Sequence, residues 1–286
     1  MSIAVDLATA QRTLVEAGIE TARHDAEWIA ARALNVSRGI LLARAQDDFS
    51  DDASKHFLEM IDRRARREPL AYVTGFVSFR GLELECGPGV LVPRPETEIT
   101  VARAIARGRE RGPKPTIVDV GTGSGAIGIA LAAEVPNARI FATEASGHAR
   151  GWALRNLART GLRCTLLPGD LLDGLHPALG GGVDVVVANP PYVAEAEWAG
   201  LEPEVREWEP KEAIIAGPTG LEVILEVIEQ ARVWLAPGGW LVLEIASSQA
   251  ERTARFLTIN EYEDVLITKD LTGRERVVEA RWTGVW

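Results

Sequence analysis

A chain of 286 residues is long for one compact domain and comfortable for two, since domains usually hold about 100–200 residues. Apolar residues make up 47% and charged residues 25%, ordinary globular values that exclude disorder as the default state. The formal net charge of −10 argues against binding energy drawn chiefly from nucleic-acid phosphates, and two isolated cysteines, Cys86 and Cys164, argue against a disulfide scaffold or a metal site. No apolar run approaches the roughly 18 residues of a membrane span and no signal-peptide pattern opens the chain, so a cytoplasmic protein is expected.

From Ile3 to about Arg67 the spacing of apolar residues predicts helices, with Leu7, Leu14, Trp28, Ile29, Leu34, Leu41 and Leu42 on buried faces. Thr21 and Ser50-Asp51 read as helix starts, Gly18 and Gly39 as stops. Arg63, Arg64, Arg66 and Arg67 read as a solvated helix face in preference to a binding surface. Alternation then takes over in Phe76–Phe79 and Leu82–Glu85 around Gly81, which predicts a β-hairpin. The expected organisation is a helical domain over residues 1–72, a hairpin connector over 73–95 and an α/β domain over 96–286.

Within the α/β domain, apolar strands are expected at Ile117–Val120, Arg139–Thr143, Cys164–Leu167, Val183–Ala188, Trp240–Ile245, Asp264–Thr268 and Arg276–Ala280. Strands alternating with helices imply a mostly parallel sheet covered on both faces. Only Thr272-Gly273 and a few neighbours separate the last two strands, which should therefore pair antiparallel.

The first of these strands runs into Gly121-Thr122-Gly123-Ser124-Gly125. Glycines there allow a tight turn and close approach of a ligand to the free N–H groups at a helix start. Such a loop suits either a dinucleotide phosphate or an adenosyl group with an amino-acid carboxylate. Glu144, ending the next strand, is placed to accept hydrogen bonds from ribose hydroxyls; the alternative is a helix-start carboxylate. Asp170 at the end of the third strand reads equally as an adenine-amino partner or a turn residue, with Leu171 packing on the ring in the first case.

The fourth strand leads into Asn189-Pro190-Pro191-Tyr192. Ligands of open α/β sheets bind beyond the carboxyl ends of the strands, so this tetrad should face the same crevice as the glycine loop. A planar amide or amine nitrogen is a poor nucleophile. The Asn189 side-chain oxygen and the Pro190 carbonyl can accept its two N–H groups and favour the charge that develops on attack. The paired prolines fix that carbonyl, and Tyr192 offers an aromatic face.

This combination resembles the class I S-adenosylmethionine-dependent methyltransferases, and within them the release-factor glutamine N5-methyltransferases. The likeness extends beyond Asn189–Tyr192 to Pro69–Tyr72 with Gly75, Val92–Glu98, Asp119–Gly125, Glu202–Val205, Glu209-Pro210, Gly220-Leu221 and Lys269–Arg274. It implies a Rossmann-like seven-stranded sheet, a small all-helical N-terminal domain that engages the substrate and a hairpin connector. It further implies S-adenosylmethionine as cofactor and the glutamine of a Gly-Gly-Gln motif in a peptide-chain release factor as acceptor. Carried over by position, Gly121–Gly125, Glu144, Asp170, Leu171 and Asn189 bind the cofactor. Asn189, Pro190 and Tyr192 act in transfer; these three and Pro191 hold the amide, and Arg94 and Glu98 brace the site. Glu144 stands where this family commonly has Asp. The resemblance also implies a monomer with no sequence-specific nucleic-acid binding. The competing readings are a methyltransferase of the same scaffold acting on another amide or amine, a nucleic-acid N-methyltransferase, which should carry a basic recognition module, and a catalytically silent binding protein.

Overall fold

The computed structural model describes residues 2–284. The chain forms two compact units, one running to Phe76 and including Glu202–Trp208, the other holding Val77–Leu201 and the chain from Glu209 onward.

The smaller unit opens with α1 (Ile3–Glu16), α2 (Ala22–Ala33), α3 (Arg38–Ala43), α4 (Asp51–Ala65) and α5 (Leu70–Thr74). Leu14, Ile29, Leu41, Phe57 and Met60 close its core. Ser50 caps α4 by accepting from the Ala53 N–H at 3.4 Å. Gly18 turns the chain after α1 with φ of +74°. Gly39 is not a stop: it lies inside α3, which is capped by Ser37, whose hydroxyl accepts from the Ile40 N–H. Trp28 and Leu42 are 39% and 46% exposed, whereas Ile29 and Leu41 are fully buried. Consecutive helical residues lie about 100° apart, so one member of each adjacent apolar pair turns away from the core.

The arginine cluster is not a solvated face either. Arg64, buried at 5% exposure, donates to Asp25 at 2.7 Å and to Glu204 at 2.9 Å. Arg67 grips Glu204 with two hydrogen bonds of 2.7 and 2.6 Å, and Arg63 pairs with Glu68. Only the Arg66–Asp62 pair is well exposed. Three of the four guanidinium groups are thus structural, Arg66 alone keeping to a solvated face, and Arg64 and Arg67 hold the Glu202–Trp208 segment within this unit.

The larger unit begins in a hairpin, β1 (Phe76–Phe79) and β2 (Leu82–Glu85). There follow α6 (Thr97–Glu110), β3 (Thr116–Val120), α7 (Ala126–Glu134), β4 (Arg139–Glu144), α8 (Gly147–Thr160), β5 (Thr165–Pro168) and β6 (Val183–Ala188). After β7 (Val193–Ala194) the chain passes through α9 (Pro203–Arg206) of the smaller unit. It returns to form β8 (Ile215–Gly217), α10 (Glu222–Trp234), β9 (Leu235–Glu244), α11 (Ala250–Ile259), β10 (Tyr262–Lys269) and β11 (Glu275–Trp282).

Seven strands form one sheet in the order β10-β11-β9-β6-β3-β4-β5. Its members are parallel except β11, which pairs antiparallel with both β9 and β10. The expected antiparallel pair is present, with β11 inside the sheet and β10 at its edge. Alternation along each strand sends side chains to opposite faces. Val118, Val186, Leu241, Leu243 and Val278 pack with α10 and α11 on one face. Ile117, Val185, Val187, Val242 and Val277 pack with α6 and α7 on the other. The chain leaves β3 outward through β4 and β5 and comes back to β6 on the other side of β3. That reversal opens a crevice at the carboxyl ends of β3 and β6.

Candidate active site

Beyond that crevice lies a cavity of about 310 Å³ contained in the larger unit. Its walls include Gly121, Thr122, Gly123, Ser124, Glu144, Asp170, Leu171, Asn189, Pro190 and Pro191. The sequence distributes these residues over four strand ends; the fold gathers them onto one surface.

Gly121, Gly123 and Gly125 all have positive φ, at +66°, +59° and +88°. The loop is pinned at several points. Asp119 is fully buried; its Oδ2 accepts from the Thr122 hydroxyl and, at 2.8 Å, from the Gly128 N–H of α7. Burial pushes the Asp119 carboxyl up to about 7, and Oδ1 has no partner. The Asn156 amide of α8 donates to the Ser124 carbonyl at 2.9 Å and exchanges two further hydrogen bonds with the Glu85 backbone, which joins the loop to β2. A Cβ on Gly125 would stand 2.9 Å from Ile129 Cδ1. Gly125→Ala should therefore cost about 1–2 kcal/mol of stability from the left-handed backbone alone. It should also weaken cofactor binding, measured by calorimetric titration, through displacement of the loop; unchanged affinity would mean that the loop carries little of it.

Glu144 uses the reach of its longer side chain. Oε2 accepts from the Gly123 N–H and Oε1 from the Ser146 N–H, both at 2.8 Å. A carboxylate offers about four lone-pair directions, so two remain for a ligand. Ser146 in turn caps α8 through Ala149 N–H. Asp170 is exposed on the wall, and its carbonyl accepts from Asp173 N–H, a turn contact. Leu171 has φ of +46°, a backbone state uncommon for a residue with a Cβ.

Asn189 leaves β6 with its Nδ2 donating to the Thr97 hydroxyl at 3.2 Å. Tyr192 does not line the cavity; its ring packs against the core under α10 and α11, and burial raises its pKa. Its carbonyl accepts from Gln249 Nε2 at 2.8 Å, and the same nitrogen binds the Gly220 carbonyl at 2.9 Å. Arg94 and Glu98 also stand off the cavity. Arg94 donates to both oxygens of buried Glu209 at 2.7 and 2.8 Å, and Glu98 accepts from the Arg80 N–H at the hairpin turn.

Several wall and support residues carry no site role in the sequence reading: Val90, Leu91, Pro93, Thr97, Val223 and, in hydrogen bonds behind the wall, Asn156, Gln249 and Glu244. Thr97 sits inside the Val92–Glu98 segment and Glu244 ends an otherwise apolar strand. An acidic residue in such a run was the available signal.

A Rossmann-like sheet with a glycine loop, an acidic second strand end and an Asn-Pro-Pro-Tyr exit defines a class I methyltransferase. A family model described as the methyltransferase small domain matches residues 105–201, and one described as the PrmC N-terminal domain matches residues 7–75. A methyltransferase structure from Pyrococcus furiosus shares the fold with a TM-score of 0.53 at 22% identity, covering 72% of this chain and 90% of that one. The release factor glutamine methyltransferase of Streptomyces coelicolor is 42% identical over 96% of both chains. That of Mycolicibacterium smegmatis is 41% identical over 97% of this chain and 96% of its own. The chain belongs to the release factor glutamine methyltransferase family.

Proposed function

We propose that this protein transfers the methyl group of S-adenosylmethionine to the side-chain amide nitrogen of the glutamine in the Gly-Gly-Gln motif of a peptide-chain release factor. The observation that carries the reading is the shared wall: Asn189 and Pro190 end β6 on the same cavity surface as the Gly121–Gly125 loop and Glu144. Relatives that match nearly the whole chain are release factor glutamine methyltransferases, which supports the same substrate.

The residues present suit the cofactor. The glycine loop would let the amino-acid part of the cofactor approach the backbone closely, the spare lone pairs of Glu144 would accept from ribose hydroxyls, and Leu171 would offer an apolar surface beside Asp170 for the adenine. The volume falls within the roughly 300–1,000 Å³ of small-molecule sites. The bound cofactor supplies an electrophilic sulfonium methyl.

Asn189 Oδ1 and the Pro190 carbonyl accept the two N–H groups of the glutamine amide and hold its nitrogen in line with that methyl. Positioning of this kind supplies about 7–11 kcal/mol of barrier reduction in favourable cases. Held so, the amide nitrogen would displace the sulfide from the methyl group, the C–S bond breaking as the C–N bond forms. The alkylated nitrogen is acidic and releases its proton to water, so no strong base is required. Arg94 and Glu98 act by bracing the segment that carries Val90, Leu91 and Pro93. The reading includes a monomer working in the cytoplasm; among the described residues no helix is long and apolar enough to cross a membrane.

Labelled methyl from S-adenosylmethionine should appear on a purified bacterial release factor and be absent from a variant whose Gly-Gly-Gln glutamine is alanine. Equal labelling of both would reject the acceptor. If neither is labelled while the cofactor still binds, another amide or amine is the substrate.

A further inference from the structure

Glu244 is fully buried at the end of β9 and forms no ion pair among the described residues. Burying a carboxylate without a paired countercharge is costly, and the apolar strand that it ends does not call for one. Register explains its position. Leu243 pairs with Ala188 across β9 and β6, so the next residues on the two strands are Glu244 and Asn189. Thr97, the first residue of α6, lies between them.

The hydrogen bonds have a direction. Glu244 Oε2 accepts from the Thr100 hydroxyl at 3.0 Å. Oε1 is buried with no hydrogen-bond partner among the described residues, and the Thr97 hydroxyl lies near enough to this carboxylate to oppose the rise in its pKa. An ionised carboxylate can only accept, so it draws the Thr97 proton toward itself. The Thr97 oxygen is then left as an acceptor, and it receives Asn189 Nδ2 at 3.2 Å. With Nδ2 committed, Oδ1 is the amide atom left free for a ligand in the cavity that Asn189 lines.

We infer that Thr97 and Glu244 are positioning residues that set the polarity of the Asn189 amide, so that its oxygen meets the N–H groups of the acceptor amide. This inference rests on the function proposed above. An amide flipped by 180° would offer the acceptor a second N–H donor instead of an oxygen and repel it. An asparagine facing an apolar residue has no such preference; the buried carboxylate supplies it through one hydroxyl.

The arrangement is sensitive to pH. Burial pushes Glu244 up to about 7, against the hydrogen bonds of Thr97 and Thr100 and the attraction of Arg276 on β11; Glu96 at the start of α6 repels the charge. The Tyr192 hydroxyl also faces Glu244. A protonated Glu244 can donate to Thr97, which frees the Thr97 proton for Asn189 Oδ1 and reverses the chain. The competent polarity therefore belongs to the ionised form and should be gained as pH rises through about 7.

Methyl transfer to a release factor, cofactor binding and thermal melts would be measured for the wild-type protein and for Thr97→Val, Thr97→Ser, Glu244→Gln and Asn189→Ala. Thr97→Val should lower kcat about 10–100-fold, less than the roughly 10²–10³-fold of losing the oriented group itself, because the amide still adopts the competent orientation part of the time. Its cofactor affinity should stay within about threefold, and Thr97→Ser, which keeps the hydroxyl, should recover the rate. Wild-type kcat should rise through a midpoint near pH 7, and Glu244→Gln should lack that rise. Wild-type rates in Thr97→Val, equal losses in Thr97→Val and Thr97→Ser, or an unchanged pH profile in Glu244→Gln would each overturn the inference. The pH profile stands even where a Thr97 variant folds poorly. Full activity in Asn189→Ala would instead overturn the underlying function; an inactive Asn189→Ala beside an unaffected Thr97→Val would sink this inference alone.

Discussion

Replacing Asn189 by alanine is expected to lower kcat/KM for methyl transfer by about 10²–10³-fold, the usual cost of removing one oriented group that meets developing charge. The variant should remain folded, because Asn189 is only partly buried and its side chain, among the described residues, bonds only to Thr97. Cofactor affinity should weaken by no more than a few-fold, since the loop pinned by Asp119, Asn156 and Glu144 is untouched. Transfer assays paired with calorimetric titration separate the two effects. A loss confined to cofactor binding would move Asn189 out of acceptor recognition.

Arg64→Met should destabilise the protein by about 3–5 kcal/mol, read from denaturant unfolding. Methionine fills the space of the side-chain stem, so the loss isolates the charge. It leaves the Asp25 carboxylate, itself 2% exposed, buried without its partner, and a buried charge stripped of its counter-ion carries that order of penalty. Glu204 keeps Arg67 and suffers less. Adding Asp25→Leu to Arg64→Met should recover much of the loss, because removing both charges together is often close to neutral. A cost below about 1 kcal/mol in the single variant would show that water reaches the pair.

Periodicity carried much of the fold into view. The strand Val183–Ala188 is where the apolar run places it, and the glycine loop, Glu144 and Asn189 meet on one cavity as their strand ends require. Local pattern was silent on what depends on distant partners. Nothing in the run of arginines from Arg63 to Arg67 tells that Glu204, far along the chain, will bury two of them. Nor does the spacing around Thr97 show that Glu244 stands behind it, since that follows from the pairing of β6 with β9. Asn156 reads as one polar residue on a helix until its three hydrogen bonds to Glu85 and Ser124 are seen. The motif does not show that the Tyr192 ring packs partly against the core beneath α10 and α11, since those helices come later in the chain.

The loop that follows Tyr192 travels through the smaller unit at Glu202–Trp208 before it supplies Pro210, Glu212 and Ala213 to the cavity wall. The helical unit is therefore stitched to the enzyme at two points of the chain, and it cannot be shed or exchanged as an N-terminal cassette. A fragment starting at Val77 would carry a stranded Glu204 and a slack tether in the middle of its own substrate wall. Recombination that swaps the first 76 residues between relatives should yield working hybrids only when Glu202–Trp208 travels with them.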